Sequence, residues 1–112
     1  MEAYGNGGFR FAGMAHSGSL LIIPSGMYAW RPRILSETTA EDFSAAILEK
    51  SKISFLILGT GKSAIPLSAE LMRLLTDASL PPEVMNSGAA VRIYNVLLAE
   101  HRPPAAALIA VD

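Results

Sequence analysis

The residues best suited by type and spacing to hold a small molecule are Gly59-Thr60-Gly61-Lys62-Ser63 and Asn86-Ser87-Gly88-Ala89. Both runs are short and glycine-bearing, so they leave backbone N–H groups unshielded, and such groups at a helix start attract anions. The first contains Gly-Lys-Ser, the end of a phosphate-binding loop, but its spacing is wrong. The GxxxxGK[ST] pattern needs a glycine at position 56, where this chain has Leu56, and too little loop remains to wrap a diphosphate. A dinucleotide fingerprint fails as well, because Ala64 stands where its third glycine belongs. A smaller anion is the chemistry these loops allow, held by Gly59, Thr60, Gly61, Ser87 and Gly88. The structural alternative is that the glycines only make tight turns and Ser87 only caps a helix.

Arg92, Tyr94 and Asn95 follow the second loop. Arg92 lies near a helix start, where the dipole disfavours a cation. An acid from another segment, such as Glu83, or a bound anion is therefore expected to hold it; a surface arginine with no role is the alternative. Tyr28, Trp30 and Arg31 form a different constellation, an aromatic and arginine patch of the kind enriched at protein interfaces. The same rings would serve equally as ordinary core over the sheet. Arg10 and Arg31 are too few basic residues among the rings for nucleic-acid stacking.

Other catalytic constellations are missing from the sequence. There are two histidines, His16 and His101, no cysteine, and no HxxxH or HExxH spacing, so no metal site and no thiol chemistry is expected. Glu100, His101 and Arg102 adjoin one another, but neighbours in a helix diverge. Ser25 and Ser63 lack a recognisable base and a G-x-S-x-G elbow. No cofactor is expected, and no catalytic residue can be assigned.

These loops need strands and helices to position them. Residues 53 to 58, Ile-Ser-Phe-Leu-Ile-Leu, read as a strand buried on both faces, and 105 to 111 as a second. Thr38 with Glu41, or Thr39 with Asp42, makes a capping box for a helix over 40 to 50. Leu67, Leu71, Leu74, Leu75 and Ala78 predict a helix over 66 to 78 with Pro66 in its first turn. Residues 83 to 85 form a short strand, and 89 to 100 a third helix with Ala90, Ile93 or Tyr94, and Leu97 inward. Strand, helix, strand, helix, strand is two crossover units, which join parallel neighbours and place both glycine loops at one carboxyl edge.

The first third is different. Met1 to Gly8 reads as loose, Phe9-Arg10-Phe11-Ala12 as a half-exposed strand, and His16-Ser17-Gly18-Ser19 as a reversal. Residues 19 to 23 and 27 to 30 are strands separated by Pro24-Ser25-Gly26. The expected fold is a three-layer α/β domain: a central mixed sheet with helices and an additional N-terminal antiparallel β layer.

At 112 residues the chain is read as one domain, residues 1 to 112, with 51% hydrophobic and 17% charged residues. So apolar a composition fits an unusually full core or a surface that meets a protein partner or a second copy, and ordinary scatter in composition accounts for it as well as an interface does. A formal net charge of −1 gives no general attraction to nucleic acid or anionic membrane. No stretch approaches the roughly 20 apolar residues of a membrane span, and no signal peptide is apparent, so a cytoplasmic protein is expected.

Taken in order, residues 18 to 26, Tyr28-Ala29-Trp30, Leu58-Gly59-Thr60-Gly61, Gly88-Ala89-Ala90, Arg92, residues 94 to 100 and residues 105 to 109 resemble a known family. It is the small α/β family, the Mth-type domain family, that includes the adipogenesis-associated protein and mitochondrial complex I assembly factor three. The likeness covers residues 8 to 111. It implies the same three-layer fold, no settled enzyme activity, and, from the mitochondrial member, a role through protein contacts in respiratory complex assembly. The family's characteristic positions match Gly59, Gly61, Gly88, Ala90, Arg92, Tyr94, Asn95 and Glu100. The chain departs from it at Val91, where cysteine is common, at Ser87 and Ile93, where threonine is, and at 101 to 104, where Gly-Arg-Arg usually closes the helix. Two functions stay open: a non-enzymatic interaction or assembly module, and a small-anion or small-ligand site, or hydrolase-like chemistry, at the Gly59–Gly61 and Ser87–Gly88 loops.

Overall fold

A computed structural model describes residues 1–11, 13–102 and 104–112. The readings made for Ala12 and Pro103 lie outside the described residues. The chain forms β1 (Ala3–Gly5), β2 (Gly8–Phe11), β3 (Met14–Ser17), β4 (Ser19–Ile23), β5 (Gly26–Trp30), α1 (Ser44–Leu48), β6 (Leu56–Gly59), α2 (Ala69–Asp77), β7 (Pro82–Met85), α3 (Ser87–Ala99) and β8 (Ala105–Leu108). One mixed sheet has the order β5-β4-β8-β6-β7, and β1-β2-β3 form a separate antiparallel sheet. The architecture is therefore three-layer α/β, with a central mixed sheet and a smaller N-terminal β layer.

The three middle strands are buried on both faces, as continuous apolar runs demand. β6 sends Leu56 and Leu58 to one side and Ile57 to the other, and β4 divides Leu21 and Ile23 from Leu20 and Ile22. On the first side these residues meet Trp30 of β5, Phe43 of the 3-10 turn at Ala40–Phe43, Ala46 of α1 and Leu75 of α2. On the second they meet Phe9 from β2 and Ala90, Val91 and Tyr94 from α3. β6 runs parallel to both β7 and β8, so the two crossover units close as the sequence pattern requires.

Several boundaries and placements differ from the sequence reading. The N-terminal third does not form one covering unit: β4 pairs antiparallel with β8, Leu20 opposite Leu108, and so extends the main sheet with β5 at its edge. Only β1 to β3 cover it. The Gly- and Asn-rich start holds β1, and of the residues read as a reversal His16 and Ser17 belong to β3 and Ser19 to β4, so that Gly18 alone links the two sheets. The expected helix over 40 to 50 is a 3-10 turn at Ala40–Phe43 followed by α1, entered through the Thr39 and Asp42 capping box. Pro66 lies before α2, which Ser68 caps by accepting from Leu71 N. The central strand begins at Leu56, after a 3-10 turn at Lys50–Lys52. The last strand ends at Leu108, and the third helix begins two residues earlier than its pattern suggests.

Candidate functional site

Parallel β6 and β7 deliver Gly59-Thr60-Gly61 and Asn86-Ser87-Gly88 to the same sheet edge, as the crossover reading requires. There the two loops bind each other. Ser87 N donates to Gly61 O at 2.8 Å, and Gly61 N donates to Ser87 Oγ at 2.9 Å. Ser87 Oγ in turn donates to Ile109 O at 2.6 Å, and the side chain is fully buried. Ser87 is thus a rivet between the exits of β6 and β8, not the helix cap. Asn86 is the cap, its Oδ1 accepting from Ala89 N at 2.7 Å. A serine and an asparagine satisfy the same capping preference, so sequence alone does not choose between them.

The glycines serve this contact. A Cβ on Gly59 would lie 2.9 Å from Ser87 Oγ and 3.0 Å from Ser87 Cα, so the strand end can approach the helix only as glycine. Gly61 has φ +106°, outside the range other residues favour. Thr60 folds the loop onto itself: its Oγ1 donates to Ser63 O at 2.7 Å and accepts from Ile65 N at 3.1 Å, while its N–H donates to Met85 O at 2.8 Å. At Gly88 an added Cβ would run into the Tyr4 hydroxyl of β1. Of the N–H groups in the first turn of α3, those of Ser87 and Ala89 are engaged within the chain, and the Tyr4 ring stands over Gly88. The Gly59–Gly61 loop does not open a helix at all, since α2 starts only at Ala69. The two loops therefore lack the open helix-start geometry expected of an anion cradle.

Arg92, Tyr94 and Asn95 point three ways from α3. Arg92 is the sixth residue of the helix, past its first turn, and is exposed. Among the described residues it has no ion pair, so the expected carboxylate partner is not there. Asn95 holds the first residue, with Met1 N donating to its Oδ1 at 2.8 Å and its Nδ2 donating to Met1 O at 2.9 Å. Tyr94 turns inward and is 4% exposed, and burial pushes its hydroxyl pKa up. Of the two alternatives for the inward position, Tyr94 takes it and Ile93 is 40% exposed; Val96 is 54% exposed. The inward stripe is Ala90, Val91 and Tyr94, with Leu97 packed against the same cluster.

The aromatic and arginine patch also divides. Trp30 is 6% exposed, packs edge-on against Phe43 with ring centroids 5.6 Å apart, and donates from Nε1 to Asp42 O at 2.8 Å. It is core. Tyr28 is exposed, its hydroxyl 2.9 Å from Ser25 Oγ. Arg31 grips Asp42 with both ends of its fork, Nη2 to Oδ2 at 2.7 Å and Nε to Oδ1 at 3.0 Å, and donates to Glu37 O. That guanidinium, helped by the Thr39 N–H, holds the Asp42 carboxyl below its ordinary pKa.

A cleft of about 800 Å³ lies at the carboxyl edge, between Thr60, Lys62 and Ile65 on one side and Arg33, Ile34 and Ile109 on the other. Lys62 and Arg33 are exposed and unpaired among the described residues. No group of three or more His, Cys, Asp or Glu residues that could hold a metal occurs among the described residues, and no described helix is long and apolar enough to cross a membrane.

A family model described as a protein of unknown function (DUF498/DUF598) matches residues 1–109. An uncharacterised protein of Rhodobacter capsulatus is 33% identical over 109 residues, which are 97% of this chain and 82% of that one. The NADH dehydrogenase [ubiquinone] 1 alpha subcomplex assembly factor 3 of Danio rerio is 31% identical over 107 residues, which cover 96% of this chain and 62% of the factor. Among solved structures, a protein described as an outer membrane protein from Bartonella henselae superposes with a TM-score of 0.92 at 47% identity, covering 99% of this chain and 93% of that one.

Proposed function

The chain belongs to the DUF498/DUF598 family of proteins of unknown function, and we propose that it is a non-enzymatic interaction module of the assembly type, whose contact surface is the outer face of α3. One observation carries the reading: α3 presents Ile93 and Val96 to solvent, 40% and 54% exposed, on the side where a surface helix normally carries polar residues. Arg92 lies on the same face, exposed, and among the described residues it has no ion pair. Exposed aliphatic side chains beside an arginine are the composition of a protein contact. A relative named as an assembly factor supports the same kind of task. The partner surface is apolar with an acid placed for Arg92. Capture from the organism's own lysate on immobilised wild type and Val96→Glu tests it. A protein retained by wild type and lost with a folded Val96→Glu supports the reading, and equal retention on both refutes it.

The cleft at the carboxyl edge favours one second reading, a small-anion or small-ligand site in which Lys62 and Arg33 face the ligand across Thr60 and Gly61. Phosphate titration of wild type and Lys62→Ala separates the two: a saturable response lost in the variant supports the ligand site.

A further inference from the structure

At the opposite end of the sheet, where β6 and β8 begin, a cavity of about 400 Å³ is walled by Ile22, Met27, Ile53 and Pro104, with Tyr94 and Lys52 as its polar residues. Tyr94 is 4% exposed, and its hydroxyl has no hydrogen-bond partner among the described residues. A buried tyrosine hydroxyl ordinarily finds such a partner. Tyr94 lines the cavity, so a ligand held there is placed to supply that partner. Lys52 is exposed and has no ion pair among the described residues. A single phenol donor and one cation set among apolar walls is the pattern of a pre-formed small-molecule site.

We propose that this cavity binds a small apolar carboxylate, its ring or short branched chain against Ile22, Met27 and Ile53 and its carboxylate accepting from Tyr94 Oη and facing Lys52 Nζ. The site is separate from the α3 contact face and from the carboxyl-edge cleft, and it stands or falls independently of both. Burial keeps the Tyr94 hydroxyl protonated through neutral pH, so it remains a donor.

Benzoate titration of the ¹⁵N-labelled protein, followed by amide chemical shifts, tests the proposal. Saturable shifts at Met27, Ile53 and Ala105 are expected, with binding weakened about tenfold in Tyr94→Phe and also in Lys52→Ala, and abolished in Met27→Trp, which fills the cavity from an exposed position. Benzyl alcohol, lacking the charge, should bind more weakly and be indifferent to Lys52→Ala. Absence of saturable benzoate shifts in wild type overturns the site, as does an unchanged affinity in a folded Tyr94→Phe. If Tyr94→Phe does not fold, retained benzoate binding in Met27→Trp overturns the site in its place. Benzyl alcohol binding as tightly as benzoate overturns the carboxylate assignment.

Discussion

Replacing Ser87 by alanine removes one oxygen and should cost more than its position at a helix start suggests. The hydroxyl accepts from Gly61 N at 2.9 Å and donates to Ile109 O at 2.6 Å, in a side chain with no solvent exposure. Ser87→Ala leaves both backbone groups without that partner where water does not reach them, and each such loss costs about 1–3 kcal/mol. The better helix propensity of alanine returns roughly half a kcal/mol. A net loss of about 3 kcal/mol is expected, which at about 4 °C per kcal/mol for a domain of this size lowers the unfolding midpoint by about 12 °C. The comparison is Ser68→Ala, which removes an exposed cap of α2 and should cost about 1 kcal/mol. Urea unfolding of wild type and both variants measures the difference, with an unchanged m-value as the condition for comparing them. If Ser87→Ala costs no more than Ser68→Ala, the hydroxyl is not the rivet between the strand exits and the account of that edge is wrong.

Gly61→Val should destabilise by about 1–3 kcal/mol in thermal unfolding with no ligand present, because φ is +106° there, and an unchanged midpoint would count against the turn. His101→Gly should stabilise by about 1 kcal/mol, again read from the thermal midpoint. His101 has φ +59° and ends α3 in a Schellman arrangement, Arg102 N donating to Leu97 O at 2.8 Å and His101 N to Leu98 O at 3.0 Å, in which glycine sits without strain. The Arg31 and Asp42 pair contributes above the carboxyl's unfolded pKa of about 3.9 and is lost as pH falls through its lower folded value. The thermal midpoint of wild type should therefore fall more steeply than that of Arg31→Gln below about pH 4, and parallel acid limbs would show that the pair does not act.

Much of the frame is legible because it depends on local pattern. Leu56-Ile57-Leu58 and Ala105-Ala106-Ala107-Leu108 are apolar without interruption, and only a strand covered on both faces accepts that. What the sequence conceals is decided by partners far along the chain. β4 joins the main sheet through Leu20 opposite Leu108, a pairing that nothing near residue 20 announces. Trp30 is buried because the turn at Ala40–Phe43 folds over it and offers the Asp42 carbonyl, whereas alternation alone gives Tyr28 and Trp30 the same standing. Ser87 looks like a cap because capping is a local habit, while its two partners lie 26 and 22 residues away. On α3 the spacing leaves Ile93 and Tyr94 as alternatives beside Ala90 and Leu97, and the sheet the helix meets, not the period, selects Tyr94 and adds Val91.

The outer face of α3 is the central claim, and placing a benzophenone side chain at position 96 and irradiating living cells of the source organism tests it directly. The same side chain at position 50 serves as control, since Lys50 is exposed in the 3-10 turn at Lys50–Lys52, in the layer across the sheet from α3. The account predicts a discrete higher-mass adduct from position 96 and none from position 50. Adducts of equal yield from both positions, or none from position 96, would contradict it.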